Sequence, residues 1–462
     1  MNAKKIIAML LAVVMTLSLA ACGSKQEAPA TEAAAAGKEE TAQAEASALP
    51  SYADLKIGED YTNLTAEISF FHNRTDMDKD GRMDAYIAEF NKLYPNITIK
   101  QSSTTNYEED SLLRLTTADW GDMMYLWDNV QPIDYADYFM PWGSVEEIGK
   151  TMKFADTRAY DGVVYGMPFY GSYTGVIYNK AVFEEAGITE WPATAEEFHE
   201  ALLAIRDKTD AIPMYTNYAD SWPVNAWNDY ANQSYGDPEF KSHVKYHTAN
   251  PYADNGEGTG LYNLYKILWD AVADDCTEED YTTTDWEGGK AMLCNGEIGC
   301  MFLGSWYYVQ SAVAGEHPEN LAYAPLPMTV DGKQYVVGGG DSFFGINKNV
   351  SDDHKLACML FAKWLAENST YCIDEMVIPA CVNGKAPAFV EELSDIPVLS
   401  NAPVHTDEVE MVRKMDNATT AIEVHYLIEA ADAGSDTFDN VMNEWNQIWS
   451  DAQASVGVEI VK

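Results

Sequence analysis

Glu67-Ile68-Ser69-Phe70-Phe71 alternates polar and apolar positions over a length suited to a strand, and a polar loop follows from His72 to Gly81. Met83, Ile87, Phe90 and Tyr94 then recur at helical spacing until Pro95 stops the run. Asn96 to Lys100 alternates again and reads as a second strand. A helix around Tyr107 to Thr117 leads to a third apolar run, Asp122 to Leu126. Strand, helix, strand, helix, strand predicts an α/β fold with a mainly parallel sheet flanked by helices. Ligands of such sheets sit beyond the carboxyl ends of the strands. That points to His72, Asn73 and Arg74 after the first strand, and to Trp127 and Asp128 after the third.

The N-terminus follows a different pattern. Lys4 and Lys5 precede an unbroken apolar-to-small stretch from Ile6 to Ala21, and Cys22 follows Leu19-Ala20-Ala21. At about 16 residues the run is shorter than the roughly 20 that span a bilayer, so it predicts a cleaved signal peptide over residues 1–21. Small residues before a cysteine resemble the bacterial lipobox, which implies lipidation of Cys22. From Gly23 to about Leu49 there is little to bury, so residues 22–55 are expected to form a lipidated cysteine and a flexible linker reaching about 30 Å. The folded part would then sit at the extracytoplasmic face of the cell membrane, tethered by lipid.

Composition supports a large soluble body beyond that linker. Apolar residues make up 47% of the chain, ample for real cores, and the remaining length suggests two or more domains. The formal charge of −44 repels nucleic acid and anionic lipid. With 28 Tyr and 12 Trp, polar-edged aromatics are available for a wet interface as well as a core. Beyond Cys22 the cysteines are Cys276, Cys294, Cys300, Cys358, Cys372 and Cys381, none in a C-x-x-C pair that a zinc site would use. Cys294, Cys300 and Cys358 lie in apolar surroundings and read as buried small hydrophobes; disulfide pairing is left open.

The middle of the chain carries a family resemblance. In order come Tyr165-Gly166-Met167-Pro168, Gly175 to Lys180, Phe183 to Ile188 and Trp191 to Phe198. Gly289 to Met292, Gly296 to Met301, Gly304-Ser305-Trp306, Pro325-Leu326-Pro327, Gly338-Gly339-Gly340, Ile346-Asn347-Lys348 and Phe361 to Leu365 follow. Together these resemble the family 1 extracellular solute-binding proteins of ABC sugar importers, the maltose-binding-protein-like group, over nearly all of Ala66 to Lys462. Local physics agrees at one point: Thr194 with Glu197 three positions later spells a capped helix start. The resemblance implies a two-lobed periplasmic-binding-protein-like fold, each lobe a mainly parallel sheet flanked by helices, with the ligand cleft between the lobes. Crossings are expected near Gly171–Gly175, Gly304–Ser305 and Phe344–Ile346. Lobe one would hold 60–172 plus 304–344, and lobe two 173–303 plus 346–462.

A sugar needs planar hydrogen-bonding groups around its rim and aromatic rings against its C–H faces. On that basis the candidate ligand residues are His72, Asn73, Arg74, Trp127 and Asp128, then Tyr170 and Tyr173 at the first crossing. Asn217, Tyr218 and Trp222 form a polar-aromatic cluster, and Trp306, Gly339, Gly340 and Asp341 complete the set. The resemblance implies a monomer that delivers a carbohydrate, an oligosaccharide in particular, to the transmembrane subunits of an ABC permease. Alternatives are another small organic solute, service to a sensor kinase and, last, an extracellular glycosidase.

Asp76, Asp78 and Asp80 before Gly81 have the look of a calcium loop, but Ile87 occupies the twelfth position, where an acidic ligand is required. A solvated turn at a helix N-terminus is the simpler reading. No metal and no cofactor is otherwise implied. G-x-S-x-G, P-loop and G-x-G-x-x-G signatures are missing, and His199-Glu200 lacks the second histidine of H-E-x-x-H.

Overall fold

The computed structural model describes residues 49–461; the signal, Cys22 and nearly all of the linker before Leu49 lie outside the described residues. Strands β1 (Ala66–His72), β2 (Ile97–Ser103) and β3 (Met123–Tyr125) pair in parallel, with β1 in the middle. Between β1 and β2, the helix Arg82–Asn91 buries Met83, Tyr86, Ile87 and Phe90. It stops short of Pro95, where the Asn91 side chain donates to the carbonyls of Tyr94 and Ile97 and closes the exit. The helix Tyr107–Leu115 makes the second connection. Thr194 caps the helix Ala195–Lys208 by accepting from the Glu197 N–H, while the Glu197 carboxylate reaches back to the Ala193 N–H.

The rest of the sheet is built on two long strands. β4 (Met167–Asn179) and β8 (Val336–Ile346) run antiparallel, from Thr174 opposite Val337 to Met167 opposite Phe344. With β5 (Ile212–Met214), β6 (Ile298–Gly304) and β7 (Leu321–Ala324), the path runs β2-β1-β3-β8-β4-β6-β5, and β7 adds to β4. Met167, Phe169, Phe343 and Phe344, at one end of the long strands, pack with Phe70 in a first core. Further along β4 the alternation of a strand divides its side chains between two other cores. Val176 packs with Cys300 and Phe302 on one face, Ile177 with Met301 and Leu303 on the other.

The chain is apportioned between the halves differently from the sequence-based division. After Gly304 it turns rather than crosses: the Ser305 N–H bonds the Tyr173 carbonyl, and Trp306 folds back over the strand. The helix Tyr307–Ala314 leads into β7, which pairs with β4 at the end away from the first core, so Tyr307, Leu321 and Tyr323 join the core of Ile177. Conversely, the chain directly after Ile346 stays with the first half. Ile346 lies opposite Met123, among the strands of the first half, and the helix Asp352–Glu367 then covers β1, placing Leu356 and Phe361 in the first core, with Tyr371 of the following turn beside them. The transit of β8 falls at Gly338 to Ser342, before the expected Phe344–Ile346. A further transit, unforeseen in the sequence, comes at β9 (Ile378–Pro379), paired with Gly171 and Tyr170. The C-terminal helices Val409–Ala418, Val424–Ala433 and Phe438–Val456 pack with Val176 and Phe302.

All six cysteines between Cys276 and Cys381 are free thiols, five of them buried. Among the described residues no helix is long and apolar enough to cross a membrane.

At Gly171 the two long strands approach so closely that a Cβ would stand 2.3 Å from the Gly339 carbonyl oxygen. Gly171→Ala is expected to lower unfolding free energy in urea by about 1–3 kcal/mol, the usual cost of overpacking. Unchanged stability would mean that the strands part at this point without penalty.

A cleft across the crossing strands

The loops after β1 and β3 form one wall of a cavity of about 530 Å³, within the size range of small-ligand pockets. Asn73 and Arg74 line it from β1, Trp127 and Asp128 from β3. Tyr170 and Ser172 of β4, with Gly339, Gly340 and Asp341 of β8, make the floor. The facing wall holds Trp222 at the start of the helix Trp222–Asn225, Trp286 at the start of the helix Trp286–Asn295, and Trp306 after β6. Their ring centroids are 4.7 Å apart for Trp222 and Trp286, and 5.8 and 5.9 Å from each to Trp306. Gly304 makes this possible, because a Cβ there would collide with the Trp306 indole at 2.1 Å.

A bulge aims the one carboxylate of the floor. Gly340 is opposite Gly171 and Ser342 opposite Tyr170, so Asp341 is the extra residue, and such an insertion redirects a side chain. The Ser172 hydroxyl donates to it at 2.5 Å. Burial pushes the Asp341 carboxyl up to about 6, against the Ser172 hydrogen bond and Arg158. Asp128 behaves oppositely: enclosure would raise it, but Arg158 and Lys241 outweigh that and hold it below the ordinary value. Lys241 comes from the facing wall and donates to Asp229 at 2.5 Å. Two polar atoms of this cleft, Asn73 Oδ1 and the Trp127 indole N–H, are buried without a partner.

Arg74 lines the cleft but is committed to the wall itself. It donates to both oxygens of Asp76 at 2.9 and 2.7 Å, to the Tyr371 hydroxyl at 2.7 Å and to Glu375. Arg82 joins Asp76, Asp80 and Glu375 in the same network. Burial alone would raise Asp76, but hydrogen bonds and charge from Arg74, with Lys290 and Arg82, hold it well below the carboxylate range. Asp78 accepts from the Ser103 hydroxyl. The three Asp candidates for calcium are thus engaged by side chains of the protein, in and around the short helix Thr75–Asp80. Across the cleft mouth, Thr75 donates to Glu287 at 3.2 Å.

Four candidate residues are placed elsewhere. His72 lies beneath the loop, fully buried; its Nδ1 accepts from the Arg74 N–H at 3.1 Å, so Nε2 donates to Gln101 at 2.8 Å. Tyr173 falls on the opposite face of β4 from Tyr170 and Ser172 and packs in the core of Ile177, as strand alternation requires. Asn217 is buried in a left-handed turn, and Tyr218 bonds Glu429 and rests on Tyr281 outside the cleft. Sequence reading missed Trp286, Arg158, Lys241 and Asn401, which four separate segments bring to the cavity. Ser172 alone had a signal, its two-residue spacing from Tyr170.

Two α/β halves joined by crossing strands, with a ligand-sized aromatic and polar cleft at the junction, define a two-lobed solute-binding fold. The chain belongs to the bacterial extracellular solute-binding protein family, whose family model matches residues 75–370. It is similar to a manno-oligosaccharide specific solute binding protein from Bifidobacterium animalis subsp. lactis solved with mannotriose. That match has 39% identity and a TM-score of 0.84, covering 88% of this chain and 99% of that one. A second binding protein of an ABC transporter from the same organism, solved with mannobiose, matches with the same identity, TM-score and coverage. The diacetylchitobiose binding protein DasA of Streptomyces coelicolor is 41% identical over 59 residues, 13% of this chain and 14% of its own length. The chain spans about half or less of the curated relatives it matches.

Glu375 is 1% exposed between two arginines, so Glu375→Ala leaves buried charge without its partner. A loss of about 3–5 kcal/mol in urea unfolding is expected, and wild-type stability would show that the network holds nothing together. Asp341 has a pH signature. The folded state binds its proton more tightly than the unfolded chain, so its contribution to stability is full below about pH 4 and lost as pH rises through about 6. Asp341→Asn should flatten that part of the stability–pH curve; an unchanged slope would assign it to other groups.

Proposed function

We propose that this chain captures a carbohydrate, specifically an oligosaccharide, in the cleft and presents it to the membrane subunits of an ABC permease. The observation that carries the reading is the pairing of an indole wall with unsatisfied polar atoms. Trp222, Trp286 and Trp306 offer apolar faces, while Asn73 Oδ1 and the Trp127 N–H lie buried and unpartnered opposite them. A pyranose has the complementary surface, C–H faces ringed by hydroxyls that both donate and accept. Asp341 and Asp128 supply strong acceptors, and the missing side chain of Gly339, whose Cβ would meet only cleft-lining Asn401, lets a ligand approach backbone. The manno-oligosaccharide specific relative, similar along nearly its whole length, makes β- or α-linked mannosides the first sugars to try.

In this reading the protein makes and breaks no bonds. Ligand bound to both walls favours the closed arrangement over the open one, and the permease responds to that shift. The chain works as a monomer held at the extracytoplasmic face by lipid on Cys22, and it binds no nucleic acid; the tether is shorter than the expected residues 22–55, because Tyr52 and Leu55 are buried in the first core.

Calorimetry of the chain from Ser24 onward should detect one saturable site for mannobiose or mannotriose, and the sugar should be recovered intact. Chitobiose, raffinose, amino acids and polyamines complete the panel. Trp306→Ala is expected to weaken binding about 10–100-fold, that is about 1.4–2.8 kcal/mol, with the ligand-free melting temperature separating lost ligand contact from lost packing. Response to a non-sugar alone would sink the carbohydrate reading and keep the binding fold; consumption of the sugar would point to catalysis.

A further inference from the structure

Three of the chain's eight histidines converge on one carboxylate in the second lobe. His243 and His247 stand four apart around the short 3-10 helix Val244–His247, and Glu408 precedes the helix Val409–Ala418. His243 Nδ1 lies 2.5 Å from one Glu408 oxygen and His247 Nε2 lies 2.9 Å from the other. His405 Nδ1 is 3.9 Å from the same carboxylate, and its ring stacks on His243 with centroids 4.3 Å apart. One donor atom each from His243, His247 and Glu408 falls within 4.8 Å of the others. Their side chains are 30%, 19% and 17% exposed, sheltered yet open enough for an ion to enter.

The tautomer of His247 supplies a second, independent argument. Its Nδ1 lies 2.7 Å from the Glu459 carbonyl, which can only accept, so Nδ1 carries the ring proton. Nε2 therefore turns either a second proton or a bare lone pair toward Glu408. A backbone carbonyl on the far nitrogen is the arrangement that orients metal-binding imidazoles. The three imidazoles pack side by side, with His243 4.3 Å from His405 and 5.0 Å from His247 between ring centroids, and Glu239 lies 3.8 Å from His405. One divalent cation held by neutral rings satisfies the Glu408 carboxylate they share.

We propose that His243, His247 and Glu408, with His405 as fourth ligand, form a site for a zinc-class divalent transition-metal ion. Imidazole and carboxylate together suit zinc rather than calcium or magnesium, which take oxygen ligands. Tetrahedral zinc, with bonds of about 2.0–2.1 Å, sets its ligand atoms about 3.3 Å apart. Against that spacing, His243 Nδ1 and His247 Nε2 stand too close to Glu408 at 2.5 and 2.9 Å and His405 Nδ1 too far at 3.9 Å, so binding draws the rings apart around the ion. The ion ties the segment of His243 and His247 to that of His405 and Glu408 and, through Glu459, to the C-terminal end. These same segments carry Lys241 and Asn401 to the cleft wall, so the staple lies behind part of the cleft.

The test is titration of chelator-stripped, tag-free protein with zinc chloride by calorimetry at pH 7.5, with magnesium chloride as control. One equivalent of zinc is expected, with proton release seen as a buffer-dependent heat. Affinity should fall at least about tenfold in His247→Gln and in His405→Gln, the size of loss typical even of outer-shell changes at metal sites. Zinc should raise the melting temperature of the wild type and leave that of His247→Gln unmoved. Both variants keep Glu408, and their melting in EDTA verifies that they fold. Absence of saturable zinc binding overturns the proposal, as does wild-type affinity in both variants, which would place the ion among surface carboxylates elsewhere.

Discussion

The structure depends on two antiparallel strands that run unbroken from one half of the protein to the other. Backbone hydrogen bonds tie β4 to β8 on both sides of the junction, and the polar groups of the transit are satisfied within the sheet itself. Because the strands are continuous, the cores of the two halves have a common frame, and the cleft needs no covering domain to define it. Gly171, against the Gly339 carbonyl, lets the backbones close, and the Asp341 bulge inserts a carboxylate where strict pairing would have none. Close packing and a pairing irregularity at the same place leave a floor made largely of backbone and marked by a single carboxylate.

The wall beside that floor is held by charge. Arg74, Arg82, Asp76 and Glu375 lie at the end of β1 and after the helix that covers it, and a buried pair of this kind is tolerable only when its hydrogen bonds are complete. Arg74 has the strand-end position of a ligand contact and the bonding of a structural one. No property of the arginine distinguishes the two; the distinction lies in Glu375 and Tyr371, some 300 residues away in the chain.

The parallel β1-β2-β3 unit was legible because hydrophobic period and Pro95 act locally. So was the capped start at Thr194. Period two also contained the answer for Tyr173, since Tyr170 and Tyr173 are three apart in one strand and must face opposite ways. The lobe division was not legible beyond β4. Gly304-Ser305 has the composition of a linker, yet the glycine serves to let Trp306 fold back, and the chain returns to the same half. The helix after Ile346 carries apolar residues that would suit either core; the pairing of Ile346 with Met123 decides which one it covers.

By itself the sequence determined the α/β alternation, the family resemblance and the chemical character of a cleft rich in tryptophan and acid. These follow from spacing and residue type, which act over a few positions. Tertiary structure alone decided which side chains meet. It gathered Trp222, Trp286 and Trp306 from three segments, buried His72 and Tyr173 away from the cavity, and converged His243, His247 and His405 on Glu408. Such meetings depend on which strands pair and where each helix finds apolar surface to cover, and those choices are made between segments far apart in the chain.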